Sequence, residues 1–318
     1  MILCLCPNPA IDKFIWVDDF KLGEVNRINN EQSFPGGKGV HVALGIAELG
    51  KECALLGFWG GDTGRYIKEH CENKGISCYG PEIDEPNRTC LTFRSLDELN
   101  GTELLEQGPF IKEEKINLFW LEFTRLLETA TAVCMSGSWP RTNTEMNYAE
   151  FIVETKKKGI KTFVDCSGKN LINILPANPY CIHINNHEGF EVFKEHSPLK
   201  IAASILKSCD LAAITCGADG LYLSDKSQAC IHASCKLNSI ISAVGSGDSL
   251  MAGLVVADKR NLNLSETAKL AVACGAANCV REELGMFYKK DVDMLLTQIE
   301  LTPVGYEFSF KNNQLTEK

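Results

Sequence analysis

Short apolar runs alternate with longer amphipathic stretches along most of this 318-residue chain. Runs typical of buried strands occupy residues 2–6, 53–58, 132–135, 161–164, 180–184 and 211–215. Stretches with apolar residues three and four apart, which indicate helices, occupy residues 40–49, 64–73, 118–129, 146–157, 201–208, 264–280 and 291–299. Strands and helices that alternate in this way form right-handed βαβ units. The sequence therefore predicts an α/β fold with a mainly parallel central sheet.

Composition excludes several classes of protein. The net charge of −9 argues against sequence-independent nucleic-acid binding, which depends on basic patches. No apolar stretch approaches the roughly 18 residues that suggest a membrane span, and the N-terminus lacks the basic region of a signal peptide. The fifteen cysteines are scattered without a C-x-x-C pair, which gives no support for a zinc site. We expect a cytoplasmic protein with buried thiols.

Two segments break the alternation of strands and helices. Residues 12–34 and 88–107 show strand-like alternation, at Phe14 and Trp16, at Val25 and Arg27, and at Cys90 and Thr92, without a helix to cover one face. We expect a small antiparallel flap whose open face is covered by a ligand or by a second subunit. The remaining chain reads as one domain to residue 306, followed by a polar tail at 307–318.

A glycine-rich loop opens the apolar helical run at 250–257. It reads Gly245-Ser246-Gly247-Asp248. The first amides of a helix lack internal partners and form a seat for phosphate, which an aspartate would repel. Asp248 can be a helix N-cap, the commoner role for such a residue. It can also be a base that takes a proton from a hydroxyl while the amides hold the phosphoryl group under attack.

Further segments appear in a fixed order along the chain. They are N-P-A-I-D at 8–12, G-G-K-G at 36–39, S-G-S-W-P at 136–140, N-N-H-E at 185–188, T-C-G-A-D-G at 215–220 and the loop at 245–248. Together they resemble the ribokinase-like (phosphofructokinase B type) carbohydrate kinases over residues 1 to about 300. The segment at 100–109 and the serine in the last loop resemble the 1-phosphofructokinase and tagatose-6-phosphate kinase branch.

The resemblance implies a fold and an activity. The fold is a ribokinase-like three-layer α/β/α domain with a mainly parallel central sheet and a small β-sheet lid. The activity is ATP-dependent, Mg²⁺-assisted phosphorylation of fructose 1-phosphate or tagatose 6-phosphate to a 1,6-bisphosphate. The partners are therefore a sugar phosphate and ATP, with no nucleic acid and no membrane. The uncovered face of the flap also predicts a homodimer that forms through the lid.

The resemblance assigns one group of residues to the sugar phosphate. Asp12 would accept sugar hydroxyls, Lys38 and Arg88 would grip the phosphate, and Arg27 is a weaker candidate that can equally be an exposed charge. A forked guanidinium suits two phosphate oxygens better than an ammonium does. The full set is Asp12, Arg27, Gly36, Gly37, Lys38, His41, Arg88 and Ser136.

A second group is assigned to catalysis and to ATP. Asp248 would be the base, with the amides of Gly245, Ser246 and Gly247 as an anion hole. Asn185 and Glu188 would organise Mg²⁺ through water, or would simply cap a helix. Asn278 would face the adenine, or would be a buried helix residue. The ATP set is Asn185, Glu188, Thr215, Gly217, Ala218, Gly220, Gly247 and Asn278.

Histidines mark the departures from the family pattern. His41 stands where the family has a sugar-contacting Asn, and His183-Ile184 replaces its Lys-Pro. We interpret His41, His183 and His187 as surface or local hydrogen-bonding residues. The departures keep two alternatives open, namely a kinase for an unphosphorylated sugar or nucleoside, and a non-catalytic sugar-phosphate sensor of the same fold.

Overall fold

A computed structural model describes residues 1–95, 98–227, 229–283, 285–305, 308–311 and 314–317. The strands are β1 (Ile2–Cys6), β2 (Ala10–Trp16), β3 (Asn30–Gly36), β4 (Cys53–Gly57), β5 (Trp59–Gly60), β6 (Ser77–Tyr79), β7 (Glu82–Ile83), β8 (Arg88–Arg94), β9 (Glu103–Leu105), β10 (Ala132–Ser136), β11 (Thr162–Asp165), β12 (Cys181–Asn185), β13 (Leu211–Thr215), β14 (Leu221–Asp225), β15 (Cys230–Ser234), β16 (Glu300–Val304), β17 (Phe308–Lys311) and β18 (Gln314–Glu317). The helices are α1 (Lys38–Glu48), α2 (Gly61–Asn73), α3 (Glu113–Leu127), α4 (Tyr148–Lys157), α5 (Gly168–Ile174), α6 (Asn186–Phe193), α7 (Pro198–Ile205), α8 (Ser246–Lys259), α9 (Leu264–Cys279) and α10 (Lys289–Leu295).

The central sheet has ten strands in the order β16-β15-β14-β13-β12-β11-β10-β1-β4-β6. Every pairing from β13 through β12, β11, β10, β1 and β4 to β6 is parallel. The remaining strands, β14 to β16, join antiparallel at the β13 edge. The predicted mainly parallel sheet is confirmed, and the predicted strands at 2–6 and 211–215 have the observed bounds.

Helices cover the central sheet on both faces. Because side chains alternate along a strand, Cys4 of β1 belongs to a core with α1, α8 and α9, whereas Leu3 and Leu5 belong to a second core with α3, α4 and α7. This is the expected three-layer α/β/α arrangement. Eleven of the fifteen cysteines are buried in or beside these cores. No helix among the described residues is long and apolar enough to cross a membrane.

A second sheet of four strands, in the order β3-β2-β8-β9, forms the predicted lid. Its pairing is antiparallel for β2–β3 and β8–β9 but parallel for β2–β8. The expectation of a wholly antiparallel flap is therefore wrong, because two separate chain segments meet side by side. The strand expected around Val25 and Arg27 is also wrong, since residues 18–29 form a mostly exposed connection between β2 and β3.

The end of the chain carries a further hairpin, in which β17 pairs antiparallel with β18. It lies within the segment predicted as a polar tail at 307–318. The rest of that segment, residues 307, 312, 313 and 318, lies outside the described residues. The boundary at residue 306 stays a prediction.

Candidate active site

Polar side chains gather at the carboxyl edge of the parallel strands, where open α/β sheets bind ligands. Ser136, Asp165, Asn185 and Thr215 end β10, β11, β12 and β13 respectively. The first turn of α8 faces the same edge, since a Cβ on Gly247 would lie 3.2 Å from the ring of His183. The site therefore lies between the parallel strands, α8 and the lid.

The loop before α8 has the geometry of an anion cradle. Gly245 takes a left-handed conformation with φ of 82° as the N-cap residue, and a Cβ there would lie 2.5 Å from the backbone of Gly285. The first hydrogen bond of the helix runs from the amide of Ser249 to the carbonyl of Gly245. The amides of Gly247 and Asp248 precede that bond and have no acceptor within the helix. The amide of Ser246 donates to Ala243 at 3.2 Å, so its predicted place in the anion hole is not supported.

Asp248 does not cap the helix. It lies in the first turn of α8, where no side-chain cap hydrogen bond is formed. Its carboxylate instead accepts a hydrogen bond from His41, with 2.8 Å between Nδ1 of His41 and Oδ2 of Asp248. The capping interpretation is therefore excluded, and the carboxylate is free of the helix amides beside it.

Burial and the neighbouring His41 shift the pKa of Asp248 in opposite directions. Burial raises the pKa of Asp248 above its ordinary value, while the hydrogen bond and the charge of His41 lower it. His41 is only 3% exposed, and the carboxylates of Asp12 and Asp248 raise its pKa to about 10 despite that burial. Of the two interpretations of His41, the surface one is wrong, whereas the hydrogen-bonding one agrees with its contact to Asp248.

Lys38 lies on the side of the predicted nucleotide site. Its Nζ lies 2.6 Å from Oδ1 of Asp165 and 3.9 Å from Oε1 of Glu188. Burial works against the ammonium charge, but the neighbouring carboxylates, Asp165 first, hold the pKa of Lys38 above its ordinary value. Two carboxylates thus already lie near this amine, and the predicted grip of Lys38 on the phosphate of the sugar stays a prediction.

Asp165 is a residue that the sequence reasoning missed. It is 1% exposed, and its second oxygen accepts from Nδ1 of His183 at 2.7 Å. Burial would raise the pKa of Asp165, but Lys38 and His183 more than offset it and lower that pKa. The sequence feature that could have identified Asp165 as a site residue is its place directly after the apolar strand run at 161–164. His183, whose Nε2 lies 3.3 Å from the hydroxyl of Thr215, is a buried local hydrogen-bonding residue, whereas His187 is exposed.

The two glycines before α1, Gly36 and Gly37, allow other parts of this protein to pack against them. A Cβ on Gly36 would lie 2.2 Å from the carboxylate carbon of Asp12, and a Cβ on Gly37 would lie 3.1 Å from Sγ of Cys6. Gly37 also has φ of 95°, which favours glycine at the start of the helix. The expectation that these glycines bring backbone to the sugar is not supported by these contacts. They let Asp12 and α1 approach the same point.

Arg88 begins β8 at the mouth of the lid. Its Nη1 donates to the carbonyl of Glu106 at 3.0 Å, while its Nε is buried without a partner among the described residues. An unpartnered guanidinium nitrogen suits an anion such as phosphate. Arg27, in contrast, is an exposed residue of the connection 18–29, and no polar partner of its side chain is found among the described residues.

Ser136 and Asn278 are buried residues next to the site. Ser136 is fully buried, and its hydroxyl lies 3.5 Å from Sγ of Cys134 rather than in the open edge. Asn278 is also fully buried and donates to the carbonyl of Val244 at 2.9 Å. The burial of Asn278 agrees with the alternative of a buried helix residue, and the contacts of Ser136 with sugar and of Asn278 with adenine stay predictions. Asn278 instead holds the loop that precedes Gly245.

Asn185 and Glu188 form a capping box at the start of α6. The Asn185 side chain accepts from the amide of Glu188 at 2.8 Å, and Oε2 of Glu188 accepts from the amide of Asn185 at 2.9 Å. The capping alternative is thus confirmed. It leaves Oε1 of Glu188 facing Lys38, so the pair caps the helix and still presents one carboxylate oxygen to the site.

The turn after β13 contains two different glycines and the exposed Ala218. A Cβ on Gly220 would lie 2.2 Å from the carbonyl oxygen of Ala233, so β15 requires this glycine. Gly217 has open space at the corresponding position. The exposed residues 217–219 of this turn are open to a ligand, whereas Gly220 packs against β15.

The donors at this edge fit Mg²⁺ held through water. No group of three His, Cys, Asp or Glu residues among the described residues could ligate a metal ion alone. Mg²⁺ commonly keeps its waters and binds one or two carboxylates together with substrate phosphates. Oε1 of Glu188, left over by the capping box, is the oxygen placed for this, which agrees with the indirect role expected for the Asn185–Glu188 pair.

Comparisons with known proteins give the same fold. A family model described as "pfkB family carbohydrate kinase" matches residues 8–287. The structure of phosphofructokinase-2 from Escherichia coli with substrates and products superposes with a TM-score of 0.83, at 21% identity, covering 93% of this chain and 98% of that one. A Thermotoga maritima protein described as a possible 1-phosphofructokinase has a TM-score of 0.82, at 21% identity and 96% and 99% coverage. The structure of Thermotoga maritima ribokinase superposes with a TM-score of 0.75, at 21% identity, covering 93% of this chain and 99% of that one. This similarity confirms the ribokinase-like fold.

Proposed function

The chain belongs to the pfkB family of carbohydrate kinases, and on that premise we propose that it transfers the γ-phosphoryl group of ATP to a ketohexose monophosphate. The substrate is fructose 1-phosphate or tagatose 6-phosphate, and the product is the 1,6-bisphosphate. One observation carries the proposal. Asp248 is a buried carboxylate beside two helix amides without intrahelical acceptors, yet it does not cap that helix.

The residues divide the reaction between them. A free oxygen of Asp248 takes the proton of the sugar hydroxyl, whose oxygen then bonds to the γ-phosphorus while the bond to ADP breaks. The amides of Gly247 and Asp248 stabilise the charge on the transferring group. Mg²⁺ neutralises the nucleotide phosphates when bound. Lys38, held by Asp165 and Glu188, adds a fixed positive charge on the same side.

The phosphate already on the sugar is assigned to Arg88. Its buried Nε has no partner among the described residues, and Arg88 lies in the lid sheet beside Ala10, two residues before Asp12. The carboxylate of Asp12 lies over Gly36 and is 14% exposed, so it can accept sugar hydroxyls. Arg88 therefore separates a sugar-phosphate kinase from a kinase for an unphosphorylated sugar or a nucleoside.

We also propose that two copies associate through the lid. The large apolar side chains of the lid and its connection are unusually exposed, at 91% for Leu22, 88% for Val25, 54% for Leu104 and 61% for Leu105. Strand β9 leaves a free sheet edge among the described residues, and such edges pair readily. Analytical ultracentrifugation of the wild type and of Leu105→Glu tests this. A dimer that forms through the lid should dissociate in the variant, because a charge would be buried at its interface.

The decisive experiment is an ATP-coupled screen of sugars. ADP release is measured with fructose 1-phosphate, tagatose 6-phosphate, fructose 6-phosphate, fructose and a nucleoside, and ³¹P NMR locates the new phosphate. The highest kcat/KM with one of the two named substrates supports the proposal. Preference for an unphosphorylated acceptor would contradict it, and binding of a sugar phosphate by calorimetry without any ADP release would favour the sensor.

A further inference from the structure

His41 joins two acidic residues that come from different parts of the fold. Its Nδ1 lies 2.8 Å from Oδ2 of Asp248 on α8, and its Nε2 lies 3.2 Å from Oδ2 of Asp12 on β2. The first contact is a hydrogen bond, while the second is an ion-pair distance without hydrogen-bond alignment. One imidazole ring therefore bridges the proposed base and the proposed sugar-binding carboxylate.

The surrounding backbone holds the ring in this orientation. A Cβ on Gly285 would lie 2.1 Å from Cγ of His41, so the backbone at Gly285 lies directly against the ring. The side chain of His41 is only 4% exposed, and neither ring nitrogen opens onto the lid. The ring is therefore packed on one side, hydrogen-bonded to Asp248 through Nδ1, and buried with Nε2 facing Asp12.

Several other charges lie near the pair. Lys38 lies one turn earlier on α1, and its charge lowers the pKa of Asp248, while the charge of Asp165 raises it. On β1, the Cys6 thiol lies under α1, with a pKa raised to about 11 by burial. The charge of Arg88 acts on that thiol in the opposite direction. Among these groups, His41 alone contacts both acids.

We propose that His41 is a positioning residue, an imidazolium that bridges Asp12 and Asp248 and allows both buried carboxylates to stay ionised while fixing their separation. This inference rests on the proposed function. Two carboxylates that share a buried site without a cation between them cannot both ionise, so one takes up a proton. A base that is protonated at rest cannot accept the proton of the sugar hydroxyl.

The bridge also determines which oxygen of Asp248 can accept the proton of the sugar hydroxyl. Oδ2 of Asp248 accepts from His41, so Oδ1 is left for the sugar hydroxyl. The raised pKa of about 10 at His41 agrees with an imidazolium at neutral pH. The ring itself neither touches the substrate nor exchanges a proton during turnover.

Two neutral substitutions separate the two contacts of the ring. Asn places its amide nitrogen near the position of Nδ1, so His41→Asn keeps a donor for Asp248 and loses the one toward Asp12. Gln places its amide nitrogen near the position of Nε2, so His41→Gln does the reverse. We expect His41→Asn to act mainly on KM for the sugar phosphate and His41→Gln mainly on kcat.

Both variants remove the positive charge, so both should move the acid limb of the pH–rate profile upward. We expect a shift of about 1–3 pH units, the range that a neighbouring opposite charge produces. His187→Asn and His187→Gln on the exposed face of α6 are the matched controls, with unchanged profiles. An unmoved acid limb in both His41 variants would overturn the inference.

A measurement that needs no activity keeps the two proposals apart. Nitrogen-15 NMR of the wild type should show the ring of His41 doubly protonated from pH 6 to 9. Titration of that ring near its ordinary value of about 6.5 would overturn the bridge even if the kinase activity is found. Conversely, a wild type that binds and phosphorylates no sugar, yet keeps a protonated His41, would overturn the proposed function and leave the ion bridge standing.

Discussion

The ammonium of Lys38 lies 2.6 Å from Oδ1 of Asp165, which joins the first residue of α1 to the last residue of β11 across 127 positions of sequence. Asp165 also accepts from His183, so one buried carboxylate connects α1, β11 and β12. The same amine lies 3.9 Å from Oε1 of Glu188, so a second carboxylate of this edge lies near it. The ion pair thus fixes both the packing and the charge distribution of this edge.

Removal of that buried carboxylate should destabilise the protein. Asp165→Asn leaves Lys38 and His183 without their shared acceptor charge, and breaking a buried pair costs on the order of 3 kcal/mol in the free energy of unfolding. Asp210→Asn is the matched control, since its pair with Lys226 is half exposed on both sides and such pairs contribute about 0–1 kcal/mol. Urea denaturation measures both. Equal losses in the free energy of unfolding of the two variants would contradict the structural role of the buried Lys38–Asp165 pair.

Loss of the proposed base should abolish turnover but not binding. Asp248→Asn keeps the size and most of the polarity of the side chain, so calorimetry should give nearly unchanged affinity for the sugar phosphate. Turnover should fall by about 10²- to 10⁴-fold, the contribution that general-base catalysis makes. Asp258→Asn, near the other end of α8, is the control. Near-wild-type kcat in Asp248→Asn would refute the mechanism.

Arg88 should matter only to acceptors that already carry phosphate. Arg88→Ala should raise KM for the phosphorylated ketohexose by about 10- to 100-fold, the loss of a charge-assisted hydrogen bond of about 1.5–3 kcal/mol. Arg88→Lys should recover part of it, since an ammonium lacks the fork. KM for an unphosphorylated sugar is the internal control. An equal rise for both acceptors would remove the phosphate assignment.

The stability of the protein should depend on pH through His41. Its pKa is raised to about 10 from an ordinary value of about 6.5, so folding favours the protonated ring. This contribution is complete below about pH 6.5 and is lost as the pH rises through 10. The difference in Tm between the wild type and His41→Asn should therefore shrink from pH 6.5 to 10. A difference that stays constant over this window would show that the ring does not titrate there.

Two glycines of one turn should respond differently to alanine. Gly217 and Gly220 both have positive φ, of 58° and 91°, so an alanine suffers backbone strain at either position. Only at Gly220 would the new Cβ meet the carbonyl of Ala233. Gly220→Ala should therefore lower Tm well beyond Gly217→Ala in thermal unfolding. Similar Tm values would mean that the turn and β15 separate at little cost.

Local pattern was enough for the regular elements of the central domain. The strands at 2–6 and 211–215 lie where apolar runs of strand length occur, because a parallel strand buried on both faces consists of apolar residues. The strands β14 and β15 were missed, since Tyr222, Ser224 and His232 interrupt their apolar character. The extra strand at 25–27 was predicted from an alternation that has no pairing partner.

The sequence alone determined the chemical inventory: an α/β domain, a glycine loop followed by Asp248, a lid with Arg88, and membership of a kinase family. Short-range rules suffice for these, because periodicity and capping act within a few residues. Only the tertiary structure decided which groups meet. It turned Lys38 to Asp165, buried Ser136 and Asn278, and placed His41 between Asp12 and Asp248. Those contacts join segments about 30 to 200 residues apart, and their geometry follows from packing that no local pattern specifies.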